Sequence, residues 1–184
     1  MKIKMIVLTL AICLSAVGVY AQKADFSGKW TLDVAKSKLG ERNNIESQTL
    51  TVAQTANDIK IDTATKRTPP AGGGAPGGGG GAGGGGGMGR GGDGSATYVL
   101  DGKDAKSEIA GPGGAMVPVT TNGKLDGGKL VLSRASTFNG PNGAITSTLK
   151  ETWELSADGK TLTVTSERTS PRGTDTTTKV FVKG

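Results

Sequence analysis

Three charged residues set the chemistry open to this chain: Arg134, Glu151 and Arg168. Each sits in a short run where apolar residues recur at every second position. In 145–155, Ile145, Leu149, Trp153 and Leu155 share one face with Ser147 and Glu151. Thr146, Thr148, Lys150, Thr152 and Glu154 share the other. Side chains alternate across a strand, so the apolar face is the inward one. On 130–138 the same rule turns Arg134 inward with Leu130, Leu132 and Phe138. On the next run it turns Ser166 and Arg168 inward with Leu162 and Val164. A two-residue turn at Asp158-Gly159 pairs Trp153 with Val164 and Glu151 with Ser166. Arg168 is then diagonal to Glu151, within reach of a long side chain. A buried charge must pair, face water at a rim or meet a ligand, because burying it alone is costly. Two Arg against one Glu leave a surplus of positive charge, which suits a carboxylate gripped by a planar guanidinium. The alternative is that Arg134 and Arg168 lie at a solvated rim.

Other chemistry is largely removed. The chain of 184 residues has no His and one Cys, Cys13. That excludes Ser-His-Asp and Cys-His nucleophiles, His-ligated metals, an internal disulfide and thiolate clusters. Glu151 and Glu154 fall on opposite faces and form no acid–base pair. Asp62, Asp101, Asp104 and Asp126 lack calcium-loop spacing and read as turn residues. The segment 72–94 holds 17 of the 32 glycines, yet it lacks the Gly-Lys-Ser/Thr ending of a phosphate loop. Its Arg90-Gly91-Gly92 is a single copy of a unit that RNA-binding segments repeat. No catalytic residue, metal, cofactor or nucleic-acid partner is expected.

The elements that position these residues are strands. No sustained apolar period near 3.6 occurs between 22 and 184. Alternating runs rich in Thr and Val fall near 28–34, 45–54, 57–65, 95–101, 104–110, 115–121, 128–137, 144–155, 159–169 and 174–183. Turns are expected at Ala56-Asn57, Asp101-Gly102, Asn122-Gly123, Asn142-Gly143 and Asp158-Gly159. Short links make an antiparallel up-and-down meander of about 8–10 strands, which must curl or close to protect its edges. Val34 to Leu39 reads as a single helical turn ended by Gly40. The Gly-rich insertion at 69–94 offers little to bury and is expected to be a disordered loop inside one domain, 22–184. Six aromatics remain beyond residue 21, Phe26, Trp30, Tyr98, Phe138, Trp153 and Phe181. So thin a core favours a partly open interior.

Residues 1–21 read as a signal peptide. Lys2 and Lys4 precede an apolar stretch, Met5 to Val19, and Val19-Tyr20-Ala21 places small residues before Gln22. The stretch is short for a membrane span of ~20 residues. Cleavage would remove Cys13 and lower the formal charge from +6 by the two lysines. The expected location is exported, periplasmic or extracellular, with no membrane span after cleavage.

The run Phe26-Ser27-Gly28-Lys29-Trp30-Thr31-Leu32, followed by Ala35-Lys36-Ser37, carries a resemblance. The chain resembles lipocalin-like (calycin) barrels, in particular small exported bacterial proteins that begin with a Gly-x-Trp strand. The resemblance implies a barrel closed at one end by Gly28 and Trp30, under a late-strand Arg, and a small, mostly apolar ligand inside. It departs from that family in its Gly-rich insertion, in lacking a C-terminal helix and in lacking a Thr-Asp-Tyr-like segment. Together with strand parity, it makes Arg134, Leu149, Glu151, Trp153, Ser166 and Arg168 the candidate ligand-binding residues. The expected ligand is small and hydrophobic, or an anionic amphiphile. The rival reading is a non-enzymatic structural or protein-interaction domain of the cell envelope with no cavity. Oligomeric state is left open.

Overall fold

The computed structural model describes residues 24–40, 44–68, 93–110, 116–140 and 143–184. Residues 1–21, the expected signal peptide, and nearly all of the Gly-rich segment 69–94 lie outside them.

All ten expected strands form. They are β1 (Gly28–Leu32), β2 (Ile45–Gln54), β3 (Asp58–Arg67), β4 (Gly94–Val99), β5 (Ala105–Ala110), β6 (Met116–Asp126), β7 (Lys129–Gly140), β8 (Gly143–Leu155), β9 (Thr161–Ser170) and β10 (Gly173–Lys183). They make one antiparallel sheet in the order β4-β3-β2-β1-β10-β9-β8-β7-β6-β5. Every neighbour in the sheet is a neighbour in sequence except β1 and β10, which zip the two chain ends together at Trp30↔Lys183 and Leu32↔Phe181. The result is an up-and-down meander curled into a nearly closed barrel.

β4 and β5 are successive in sequence but form the two outer edges, so the barrel's seam lies between them. Asp101-Gly102 is therefore not a hairpin turn; it carries the chain across the seam. The Leu100 N–H donates to the Asn57 carbonyl at 2.7 Å, and the Gly102 N–H donates to the Gly123 carbonyl at 3.0 Å. Asn122-Gly123 is likewise no turn. β6 runs through it to Asp126, and the reversal is made by Gly127 and Gly128, at φ 57° and 84°. Two successive residues at positive φ are what a tight hairpin needs, and Gly adopts them without strain. Gly123 serves a different need: a Cβ there would lie 2.8 Å from the Val99 carbonyl oxygen. The helical turn expected at 34–39 is a plain turn, tied down when the Ser37 hydroxyl accepts the Val180 N–H at 2.9 Å. The turn at Asn142 lies outside the described residues.

Apolar side chains face in, and most Thr, Lys and Glu side chains face out; Glu151 and Lys179 are exceptions that face in. Leu162, Val164 and Ser166 are buried on β9, while Thr165 and Glu167 between and beyond them are exposed. This is the reverse of a barrel bathed in lipid, whose outer band is apolar. Among the described residues no helix is long and apolar enough to cross a membrane.

The core fills one end, where the β2–β3, β6–β7 and β8–β9 turns gather. The segment before β1 crosses this end and plugs it. The Gln54 side chain accepts the Phe26 N–H and donates to the Ala24 carbonyl, both at 3.0 Å. Phe26 meets Trp153 edge-on, with ring centroids 6.3 Å apart. Burying these rings together with Leu130, Leu162 and Phe181 supplies much of the driving force for closure, at ~25 cal/mol per Å² of apolar area.

Candidate functional site

The register of β7, β8 and β9 stacks inward side chains in rows. Leu130, Trp153 and Val164 form one row, with Lys179 of β10 opposite Val164. Leu132, Glu151 and Ser166 form the next, and Arg134, Leu149 and Arg168 the third. The β8–β9 pairing is the one the sequence implied, but the reversal is a turn over 156–159, closed by the Gly159 N–H donating to the Ser156 carbonyl at 2.8 Å, rather than a two-residue turn at Asp158-Gly159. Moving along the rows leads from the plugged end toward the other end, where the described chain stops at Thr68 and resumes at Asp93.

Between the rows lies a cavity of about 140 Å³. Its apolar wall includes Leu50, Ile61, Leu149, Trp153, Val164 and Phe181. Polar groups reach it from Gln48, Tyr98, Glu151 and Lys179, and Thr63, Asp93 and Ser95 stand at its mouth.

Glu151 is held by both carboxylate oxygens. The Trp153 indole N–H donates to Oε2 and the Ser166 hydroxyl to Oε1, each at 3.1 Å. Across the cavity, Lys179 Nζ donates to Gln48 Oε1 at 3.0 Å, and the Gln48 amide donates to the Thr65 hydroxyl at 2.9 Å. Burial lowers the pKa of Lys179; the Glu151 charge works against that shift and Arg67 adds to it. Burial pushes the Tyr98 phenol up to about 12, with Glu151 assisting and Arg134 opposing. Tyr98 therefore lies within the electrostatic reach of both charges.

Arg134 is 5% exposed, which removes the solvated-rim alternative for this residue. None of its three guanidinium nitrogens has a hydrogen-bond partner among the described residues. Burial lowers its pKa, yet a guanidinium stays protonated in proteins. Arg168 is partly buried, opposite Leu149 on β8 and Asp175 on β10.

Of the residues singled out by parity, Leu149, Glu151 and Trp153 line the cavity directly. Ser166 and Arg134 are not in the lining: Ser166 is bonded to Glu151, and Arg134 is the register partner of Leu149. Gly28 and Trp30 are elsewhere, at the plugged end. Trp30 is fully buried, donates its indole N–H to the Phe26 carbonyl at 2.9 Å and does not line the cavity. The late-strand cation over its ring is a lysine, Lys183, with Nζ 5.2 Å from the centroid. The side chain of Phe138 is not described.

Among the cavity residues that the candidate set did not include are Gln48, Tyr98 and Lys179. The signal for two of them was present. Leu50 and Val52 select the face that carries Gln48, and Phe181 selects the face that carries Lys179. Among the described residues no group of His, Cys, Asp and Glu could hold a metal ion.

No family model matches the sequence, and no curated protein does. Among solved structures, the chain is similar to zebrafish ileal bile acid-binding protein complexed with cholic acid, at 16% identity and a TM-score of 0.43, over 86% of this chain and 98% of that one. It is also similar to apo lipid binding protein 8 of Caenorhabditis elegans, at 14% identity and a TM-score of 0.47, over 86% of this chain and 95% of that one. At these scores the likeness extends to no ligand and to no residue of this chain.

Proposed function

We propose that the protein is an exported, lipocalin-like, non-catalytic carrier that binds a small hydrophobic or amphipathic molecule inside the barrel. The observation that carries this reading is the cavity along Leu149, Glu151 and Trp153. A filled barrel, the mark of a purely structural or interaction domain, would have no such space. An apolar wall with a few fixed polar groups is the usual make-up of a small-molecule site. At about 140 Å³ the space matches a benzene-sized cavity. It accommodates a short chain or a single ring, and a longer ligand would extend through the mouth beside Asp93 and Ser95. Candidate contacts are Leu149, Glu151 and Trp153 in the wall, with Ser166, Arg134 and Arg168 around it. Export rests on residues 1–21, and kinship with the exported Gly-x-Trp proteins rests on Gly28, Trp30 and Ala35-Lys36-Ser37.

The test is a titration of the purified protein with hexanol, followed by tryptophan emission. Saturable binding at one site is expected, abolished by Leu149→Trp, which fills the cavity. A response that never saturates, or one that Leu149→Trp leaves unchanged, would refute the reading. For export, protein recovered from the cell envelope should begin at Gln22; an N-terminus that retains residues 1–21 would count against it.

A further inference from the structure

Arg134 is anomalous. Buried polar groups are nearly always hydrogen-bonded, and a buried charge needs a partner most of all. Yet Nε, Nη1 and Nη2 of Arg134 are all buried without one among the described residues. Its natural counter-ion stands close by. Leu132 of β7 pairs with Glu151 of β8, and Arg134 pairs with Leu149, so Arg134 and Glu151 are diagonal neighbours on the inner face. Long side chains at that spacing can meet. They form no hydrogen bond here: Trp153 and Ser166 each donate to one oxygen of Glu151 and fix its orientation, and no Arg134 nitrogen reaches it.

Lys179, a second cation at the site, is already engaged, donating to Gln48. Among the described residues, Arg134 is the side chain whose buried donors have no acceptor. Its position bears on the cavity: Leu149, directly opposite it, and Tyr98, within its electrostatic reach, both belong to the cavity wall.

We propose that Arg134 anchors a carboxylate head group on the cavity's occupant, and that Trp153 and Ser166 keep it available by holding Glu151 away. The inference rests on the reading of the barrel as a ligand-binding protein. The carboxylate reaches the guanidinium by displacing the side chain of Leu149 or Tyr98 and accepts two parallel N–H bonds. A neutral ligand of the same length fills the apolar space but leaves Arg134 unpaired. Ser166 is thus a positioning residue, acting through Glu151.

The experiment is calorimetric titration of the full-length mature protein with a matched pair, hexanoate and hexanol. The wild type should prefer hexanoate by about 10- to 100-fold, the range for hydrogen bonds to a charged group. Arg134→Met should bring the two affinities within about 2-fold while leaving hexanol binding intact. Glu151→Gln removes the competing anion and should tighten hexanoate severalfold. Ser166→Ala lets Glu151 swing toward Arg134 and should weaken hexanoate with no effect on hexanol. Hexanol binding with a hexanoate preference unchanged in Arg134→Met would overturn this proposal and leave the carrier reading standing. Binding of neither probe to the wild type would overturn both.

Discussion

The carbonyl oxygen of Val99 lies 2.8 Å from the point a Cβ would occupy on Gly123, with the Tyr98 Cβ at 3.1 Å. This is where the β4 edge is drawn over β6 and the barrel comes closest to closing. The nearest atom is backbone, so it cannot swing aside. Gly123→Ala should force the seam apart and lower stability by about 1–3 kcal/mol, as overpacking does. Gly127→Ala is the comparison: its Cβ meets nothing, and only its φ of 57° opposes the change, by about 1 kcal/mol. Urea unfolding of the two variants checks the order. A smaller loss at Gly123 than at Gly127 would mean that the seam is loose.

At the plugged end, Trp30 is fully buried and bonded to Phe26. Trp30→Ala should cost about 3–5 kcal/mol, the range for removing a large buried aromatic. Lys183, stacked over the same ring, is itself exposed. Lys183→Ala should therefore cost only ~0.5–1 kcal/mol, as exposed cation–π contacts do. Thermal unfolding of both variants gives the comparison. Comparable losses would show that the lysine, rather than the ring, holds the plug.

Much of this was legible in the sequence, for a physical reason. Strand period is two, so one confident apolar residue fixes the facing of the whole strand; Leu162 placed Ser166, and Leu130 placed Arg134. The short link between β8 and β9 then fixed the register of those two strands. What parity cannot report is which consecutive strands fail to pair. The link at Asp101-Gly102 looks like any other short turn, yet it spans the seam. Asn122-Gly123 has turn composition, but its glycine answers a close approach from a strand far away in sequence. Nor does parity show that Trp153 and Ser166 occupy both oxygens of Glu151. That depends on side-chain conformation, as does the lack of a partner for Arg134 among the described residues.

The phenol of Tyr98 supplies a pH signature. Its folded-state pKa is about 12, against an unfolded value of about 10. A raised folded-state value means stability that is complete below pH ~10 and is lost as pH rises from there to about 12. The loss should reach about 2–3 kcal/mol. Ultraviolet titration of the native protein with Tyr20 replaced by Phe, which leaves Tyr98 as the one tyrosine, should show no tyrosinate below pH ~11. Titration near pH 10 would mean that the ring is solvated.

Lys179 acts in the opposite sense. Burial lowers its folded-state pKa below the unfolded value of ~10.4, so the unfolded chain binds the proton more tightly. Stability should accordingly rise with pH through the interval between the two values, ending near pH 10 where Tyr98 begins its own loss. Lys179→Met should flatten that rise without touching the Tyr98 transition. Urea midpoints from pH 7 to pH 10 provide the measurement. A slope that survives in Lys179→Met would assign it to another group.

The unpartnered guanidinium of Arg134 implies a conflict between stability and binding. Burying a charge without an acceptor is unfavourable, and even well-made buried ion networks are often improved by apolar replacements, by about 1–4 kcal/mol. Methionine has the length to fill the space that Arg134 occupies and needs no acceptor. In the ligand-free protein, Arg134→Met should therefore raise the melting temperature by about 2–4 °C for each kcal/mol gained. Arg134→Ala separates the charge from the volume: it also removes the cation but leaves a void beside Leu132 and Leu149, and should gain less or lose. Hexanoate at saturating concentration should stabilise the wild type and leave Arg134→Met nearly unmoved, because only the wild type offers the carboxylate a partner. A fall in melting temperature for Arg134→Met would show that the guanidinium already has what it needs within the apo barrel.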